Sequence, residues 1–255
     1  AIDIALHDAF TIHLGIPLVK YLGQSITSMP TSNTIGIKNV EETLKEAEDY
    51  GKRGFKVLKV KLGIDLEEDI ERIVKLREKF GDRFVIRIDA NQGYDISKTK
   101  IFWDRTKNLN VELVEQPLPA KAIQEMKTLP QDIRKAIAAD ESLLSPADAL
   151  ELIKPPVAAG IFNIKLMKCG GVGQAMKIAD IAKLEGIELF WGCNDESIVS
   201  ITAALHAAFA CTNTKYIDLD GSLDLARDEV VGGFILMDGI MYCSDKPGLG
   251  VQRNR

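Results

Sequence analysis

Short apolar, strand-like runs alternate with amphipathic helical stretches along almost the whole chain, and this alternation limits the fold more than any other feature. The strand-like runs are TIGI (34 to 37), FKVLKVKL (55 to 62), FVIRIDA (84 to 90), VELVEQ (111 to 116), AIAADE (136 to 141), IFNIKL (161 to 166), IELFWG (187 to 192) and YIDLD (216 to 220). Helical patterns fill the seven gaps, over 40–52, 66–80, 97–109, 122–129, 146–153, 173–185 and 198–211. Strict alternation of this kind requires a parallel sheet with right-handed crossovers. Eight strands without a strongly polar break favour a closed TIM-type (β/α) barrel over an open doubly wound sheet, so the fold class expected is α/β.

Charged residues recur inside the strand-like runs at the period of the fold. From Lys61 the steps to Asp89, Glu115, Asp140, Lys165 and Asp218 are 28, 26, 25, 25 and 53 residues. Parity gives their direction. Leu58, Val60 and Leu62 share one face of the second run, and Lys59 and Lys61 share the other; Ile86 and Ile88 oppose Asp89; Phe162 and Ile164 oppose Asn163 and Lys165; Ile217 and Leu219 oppose Asp218 and Asp220. The helix-facing side of a barrel strand is apolar, so the charges face the barrel interior. They also stand near strand C-terminal ends, where barrel enzymes carry their sites.

Asp89, Glu115 and Asp140 fall on consecutive strands and would repel one another unless a divalent cation neutralised them. An all-oxygen donor set favours Mg²⁺, with Mn²⁺ as the alternative, over Zn²⁺. Lys61 and Lys165 flank the carboxylates, and Lys59, a like charge two residues from Lys61, is expected to lower the pKa of Lys61 toward that of a base working near neutral pH.

The rest of the sequence sets bounds. A net charge of −5 with no Lys/Arg cluster argues against a nucleic-acid surface. Cys169, Cys193, Cys211 and Cys243 form no CxxC pair and read as free thiols of a reducing compartment. Asp3 and Asp8 interrupt the N-terminal apolar stretch, so it is not expected to be a signal peptide, and no run approaches the ~18 apolar residues of a membrane span. Cytoplasm is the default location. His7, His13 and His206 lie on helical patterns and read as structural.

The motifs VLKVKLG (57 to 63), IDANQGY (88 to 94), VEQPLP (114 to 119), ADES (139 to 142) and IKLMKCGG (164 to 171) resemble the muconate-lactonising branch of the enolase superfamily. The resemblance implies Asp89, Glu115 and Asp140 as metal ligands and Lys61 and Lys165 as the acid/base pair. It further implies Lys59 as support for Lys61, and Asn91 and Glu141 as supports of the metal site. Superfamily members use a Lys or His base with Mg²⁺ stabilising an enediolate. In IDLDG, Asp218 and Asp220 are left with no cation to pair with, since Lys59, Lys61 and Lys165 are already assigned, and they resemble the DxD motif of dipeptide epimerases, which holds a substrate α-ammonium. The expected activity is epimerisation of a dipeptide at the α-carbon of its C-terminal residue, by 1,1-proton transfer between two lysines. A cycloisomerase, an o-succinylbenzoate synthase and an N-acylamino acid racemase would use the same metal and lysines. An inert metal-binding barrel is the alternative from another class, and an aldolase-like barrel leaves the facing lysines unexplained.

Two departures from the family bear on the expectation. WGCNDES (191 to 197) places Asn194 and Asp195 where relatives often carry an apolar pair, so these two are candidate contacts for a cationic dipeptide side chain. The expected layout is a helix and linker over 1–30, a catalytic barrel over 31–231 and a return segment over 232–255, with the family's N-terminal capping domain expected to be absent. A site without that cap would stay wet. The partners expected are a small dipeptide, no nucleic acid and no membrane, with a homo-oligomer left open.

Overall fold

The computed structural model describes residues 1–254. Its central sheet has eight parallel strands in sequential order: β1 (Ser32–Ile35), β2 (Val57–Lys61), β3 (Val85–Asp89), β4 (Val111–Glu115), β5 (Ile137–Ala139), β6 (Ile161–Ile164), β7 (Glu188–Gly192) and β8 (Thr214–Asp218). The ring closes between its first and last strands. Thr31 bridges Ile217, the Ser32 hydroxyl donates to Asp218 Oδ1 at 2.6 Å, and the Thr34 amide donates to Asp220 Oδ2 at 2.8 Å.

Before the barrel lie α1 (Ile2–His13) and α2 (Leu18–Leu22), and around it α3 (Val40–Lys52), α4 (Leu66–Phe80), α5 (Ile96–Thr106), α6 (Ile123–Met126), α7 (Gln131–Ala136), α8 (Pro146–Ile153), α9 (Leu166–Cys169), α10 (Val172–Leu184) and α11 (Ile198–Ala210). Side-chain caps fix where several helices begin. Asn39 accepts from the Glu42 amide, Asp65 from Glu67 and Glu68, Asp95 from Lys98, and Ser145 from Asp148. Each cap stands just after a βα loop, so the loop that carries the site is anchored on its far side.

The expected helix at 122–129 is instead the short α6, followed by α7. Pro130 lacks an amide hydrogen and disfavours helical geometry in the residue before it, so a new helix starts after it and β5 begins one residue later than the strand-like run. The first strand lies two residues earlier than TIGI, because its pairing with β2 runs from Ser32–Val57 to Ile35–Val60. The sixth ends at Ile164 rather than 166, since Leu166 already starts α9, which Gly170 ends in the left-handed region.

Outward-facing Leu58, Val60 and Leu62 pack with Ile70, Ile73 and Leu76 of α4, as strand parity requires. Inside the barrel, Leu113, Ala138, Ile161 and Phe190 form a separate apolar plug with Tyr216 against it. Arg87 lies in the same interior. It pairs with Glu112 at 2.7 Å, donates to the Ile217 carbonyl at 2.8 Å, and sits 5.5 Å from the Phe190 ring centroid and 5.2 Å from that of Tyr216. Its parity with Asp89 was visible in the sequence, but the residue had no assigned role there. The plug floors the mouth, so charges above it have no route to solvent except upward.

The outer segments are tied to the barrel. Asp3 of α1 accepts from the Val172 amide at 2.5 Å, and Asp8 from the Leu249 amide at 2.7 Å. The hairpin Phe234–Met237 and Ile240–Cys243 adds Met29–Pro30 as a third strand. Among the described residues no helix is long and apolar enough to cross a membrane.

His206 of α11 accepts from the Val19 amide of α2 through Nδ1 at 3.0 Å, and burial pushes its pKa down to about 4. The unfolded chain binds the proton near pH 6.5. This depressed group therefore contributes stability that is fully present above that value and is lost as pH falls toward the folded pKa, by about 3 kcal/mol across the window. Urea unfolding at pH 7 and pH 4.5 should show a smaller loss in His206→Gln than in the wild type, and equal losses would exclude this origin.

Candidate active site

Strand register places Lys61 beside Asp89, Asp89 beside Glu115, and Gly192 beside Asp218, so one layer at the C-terminal ends of the strands holds most of the charged groups. Asp140 follows β5 directly, and Lys165 follows β6. The layer opens into a cavity of about 650 Å³ whose lining includes Lys61, Asp89, Asp140, Lys165, Asp218 and Asp220. β2 and β6 are four positions apart in an eight-membered ring, which puts Lys61 and Lys165 on opposite sides of the mouth.

Lys59 sits one register layer below Lys61, beside Arg87 rather than Asp89. It is buried beneath the carboxylates, with its Nζ 3.2 Å from Asp89, 2.9 Å from Glu115 and 3.0 Å from Asp218. Burial opposes its charge, but Asp218, Glu115 and Asp89 together outweigh it and hold the ammonium well above its usual pKa. This corrects the expectation that Asp218 has no cation to pair with. Three inward acids on different strands converge on Lys59, and such convergence is invisible to parity within one strand. Asp218 is lowered despite burial, chiefly by Lys59, whereas burial and Asp218 push Asp220 up to about 7.

Lys165 Nζ lies 2.7 Å from Asp140 and 3.8 Å from Glu115; burial works against its charge, and Glu115 and Asp140 more than offset that. Gly192 makes room for it, because a Cβ there would stand 2.6 Å from Asn163 Oδ1 and 3.0 Å from Lys165 Cε. Lys168 was not singled out in the sequence. The turn of α9 brings it back to donate to the Asp140 carbonyl at 2.6 Å and to the Asp140 carboxylate. Burial would raise Asp140, but Lys168 and Lys165 hold it well below the usual carboxylate range. Asn163 donates to Glu115 Oε1 at 2.7 Å, and Gln116 Oε1 accepts from the amides of Asp140 and Ser142 at 2.9 and 3.1 Å. Gln116 thus fixes Asp140 from the neighbouring strand.

As the side chains stand, no three His, Cys, Asp or Glu among the described residues are spaced to hold a metal ion, because lysine nitrogens lie between the acids. The donors nevertheless fit a hard divalent cation. Glu115 Oε2 is fully buried and 2.9 Å from Lys59 Nζ without hydrogen-bond geometry, and Glu141 Oε2 is buried with no partner. Burial and Asp89 push Glu115 up to about 8, a strain that added positive charge relieves. Asp89, Glu115 and Asp140 supply only oxygen, as Mg²⁺ prefers.

The remaining candidates line the same cavity. The Asn91 amide donates to Asp89 Oδ1 at 3.0 Å, although its side chain is exposed. Half-buried Glu141 is raised by burial and by Asp140. Asn194 is exposed and its amide donates to Glu196 Oε1 at 2.9 Å; Asp195 and Asp224 are exposed at the rim.

Residues 42–255 match the family model described as "Enolase C-terminal domain-like". The chain is 55% identical over 253 residues to the L-Lys-D/L-Arg epimerase of Desulforapulum autotrophicum, covering 99% of this chain and 71% of that protein. It superposes on the dipeptide epimerase of Methylococcus capsulatus complexed with Mg and the dipeptide L-Arg-D-Lys with a TM-score of 0.97 at 55% identity, covering 98% of this chain and 71% of that one. A substrate-liganded complex of the L-Ala-D/L-Glu epimerase from Bacillus subtilis gives a TM-score of 0.93 at 34% identity, covering 98% and 70%. Barrel, charged layer and sequence likeness agree that the chain belongs to the enolase C-terminal domain-like family.

Proposed function

We propose that this protein epimerises dipeptides with cationic side chains at the α-carbon of the C-terminal residue. The observation that carries the reading is the placement of Lys61 and Lys165 on opposite sides of the mouth, in the layer that holds Asp89, Glu115 and Asp140. Those three acids would hold Mg²⁺, which when bound supplies charge neutralisation for a substrate carboxylate. A dipeptide anchored there by its carboxylate places its α-carbon between the lysines. One lysine Nζ takes the α-proton, and the other, protonated, returns a proton to the opposite face, which inverts the centre. The Asp140 carboxylate, 2.7 Å from its Nζ, fixes where Lys165 stands at the mouth.

Asp218 and Asp220 stand on β8 and the loop after it, across the mouth from the carboxylate end, and are the proposed seat of the substrate α-ammonium. Because Lys59 already neutralises part of Asp218, Asp220 carries more of that role. Exposed Asp195 and Asp224 add negative charge to the same rim, which suits a Lys or Arg side chain, as in the names of the relatives at 55% identity. Asn194 is placed beside them as a neutral contact.

The test is incubation with Mg²⁺ and L-Lys-L-Arg in D₂O, followed by NMR of the C-terminal α-proton. Deuterium incorporation with formation of the L,D epimer is expected. No incorporation across cationic, neutral and acidic dipeptides would overturn the reading. Asp195→Asn should lower kcat/KM for L-Lys-L-Arg about tenfold, on the scale of one charge-assisted contact, and leave L-Ala-L-Ala little changed. An unaltered preference would remove Asp195 from the specificity rim.

A further inference from the structure

Among the described residues Lys61 makes no ion pair and no side-chain hydrogen bond, in contrast to Lys165, whose Nζ is held by Asp140 at 2.7 Å. The aim of Lys61 therefore depends on its backbone. That backbone is gripped from behind by a buried polar cluster on the helix side of the barrel. Arg72 of α4 donates from Nη1 to the Lys61 carbonyl at 3.3 Å, and Asp69 of α4 accepts from the Gly63 amide at 2.8 Å. Asp69 also pairs with Arg72 and accepts from the Tyr94 hydroxyl at 2.7 Å. Asp69, Arg72 and Tyr94 are 0%, 2% and 3% exposed. A carboxylate and a guanidinium buried this completely are costly unless each partner is satisfied, so the cluster is rigid or it fails.

Tyr94 carries the connection onward. It follows the loop after Asp89, and its amide donates to the Pro117 carbonyl at 2.9 Å, just beyond Glu115. The Leu62 amide donates to the Asp89 carbonyl at 2.7 Å, and the Ala90 amide to the Glu115 carbonyl at 3.1 Å. Gly63 and Gly93 allow the two loops to meet. A Cβ on Gly93 would lie 2.0 Å from the Gly63 carbonyl oxygen, and one on Gly63, at φ +106°, would lie 2.1 Å from that of Ala90. The segment that carries Lys61 and the segments that carry Asp89 and Glu115 are thus locked together through one buried cluster.

Resting on the two-lysine reading above, we infer that Asp69, Arg72 and Tyr94 are positioning residues that aim Lys61 at the substrate α-carbon. Lys165 has its own carboxylate anchors, so disturbing the cluster impairs the face of the substrate served by Lys61 and spares the other. A defect of the fold as a whole would slow both faces alike, which makes stereochemistry the discriminating readout.

The experiment measures α-proton exchange in D₂O for L-Lys-L-Arg and L-Lys-D-Arg separately, on the Mg²⁺-loaded full chain. Lys61→Ala identifies the epimer that depends on Lys61. Tyr94→Phe removes one hydroxyl and keeps the ring packed; it should slow exchange of that epimer roughly ten- to a hundredfold, and the other less than about twofold. Asp69→Asn should show the same bias more strongly. If Asp69→Asn fails to fold, Tyr94→Phe alone decides. Equal slowing of both epimers, or no slowing of either, overturns the positioning role. Absence of exchange with either epimer in the wild type would reject the two-lysine reading, and this proposal with it.

Discussion

Lys165→Ala should lower the epimerisation rate of the Mg²⁺-loaded protein by about a thousandfold or more, while α-proton exchange survives for one of the two epimers. General acid or base catalysis by a positioned group is worth roughly 10² to 10⁴ in rate, and inversion needs both groups in sequence. Removing Lys165 leaves Lys61 able to abstract and return a proton on its own side, which gives exchange without inversion. Lys61→Ala should retain exchange for the other epimer only. The complementary pattern follows from the ring, since β2 and β6 stand four strands apart and no single conformer lets one lysine reach both faces of an α-carbon seated between them. Single-turnover mixing in D₂O with each epimer reads both rates. Loss of the same epimer's exchange in both variants would mean that the lysines work on one face, and the opposed geometry would then have no stereochemical role.

The barrel and the inward direction of the charges were legible in the sequence because both depend on local periodicity. Leu58, Val60 and Leu62 alternate with Lys59 and Lys61 within one strand, and the same two-residue period sets Ile86 and Ile88 against Asp89, Phe162 and Ile164 against Lys165, and Ile217 and Leu219 against Asp218. Contacts between strands left weaker traces. Nothing within β2 reveals that Lys59 would reach Asp218 of β8, 159 residues later, because that pairing exists only once the ring has closed. Lys168 was hidden for a different reason: its direction is set by a single helical turn that interrupts an apolar run too short to show a helical period. Asp69 and Tyr94 look like an ordinary first-turn acid and a loop aromatic. Their function lies in their burial, which sequence periodicity on α4 does not distinguish from solvent exposure at the helix start.

Lys59→Met should destabilise the fold by about 3–5 kcal/mol in the absence of divalent cations, the scale expected when one partner of a buried ionic cluster is removed. Three carboxylates lose their shared counter-ion at once: Asp89 at 3.2 Å, Glu115 at 2.9 Å and Asp218 at 3.0 Å. Methionine keeps most of the aliphatic stem against Phe190, whose ring centroid lies 5.9 Å from the Lys59 nitrogen, so the loss is electrostatic more than steric. Among the described residues, Arg87 is the other cation in the barrel interior below the mouth, and its guanidinium is committed to Glu112 and the Ile217 carbonyl. It cannot take over without giving up those partners. A divalent cation held by Asp89, Glu115 and Asp140 would neutralise two of the three orphaned acids, so Mg²⁺ should restore part of the lost stability and stabilise the variant more than the wild type. Saturation at a hundred times the dissociation constant contributes about 2.7 kcal/mol to any protein that binds the ion only when folded. The measurement is chemical unfolding of both proteins with EDTA and with a Mg²⁺ series. A variant as stable as the wild type in EDTA would show that the acids accept protons at no cost, and a Mg²⁺ response no larger than that of the wild type would separate the Lys59 cluster from the metal-binding acids.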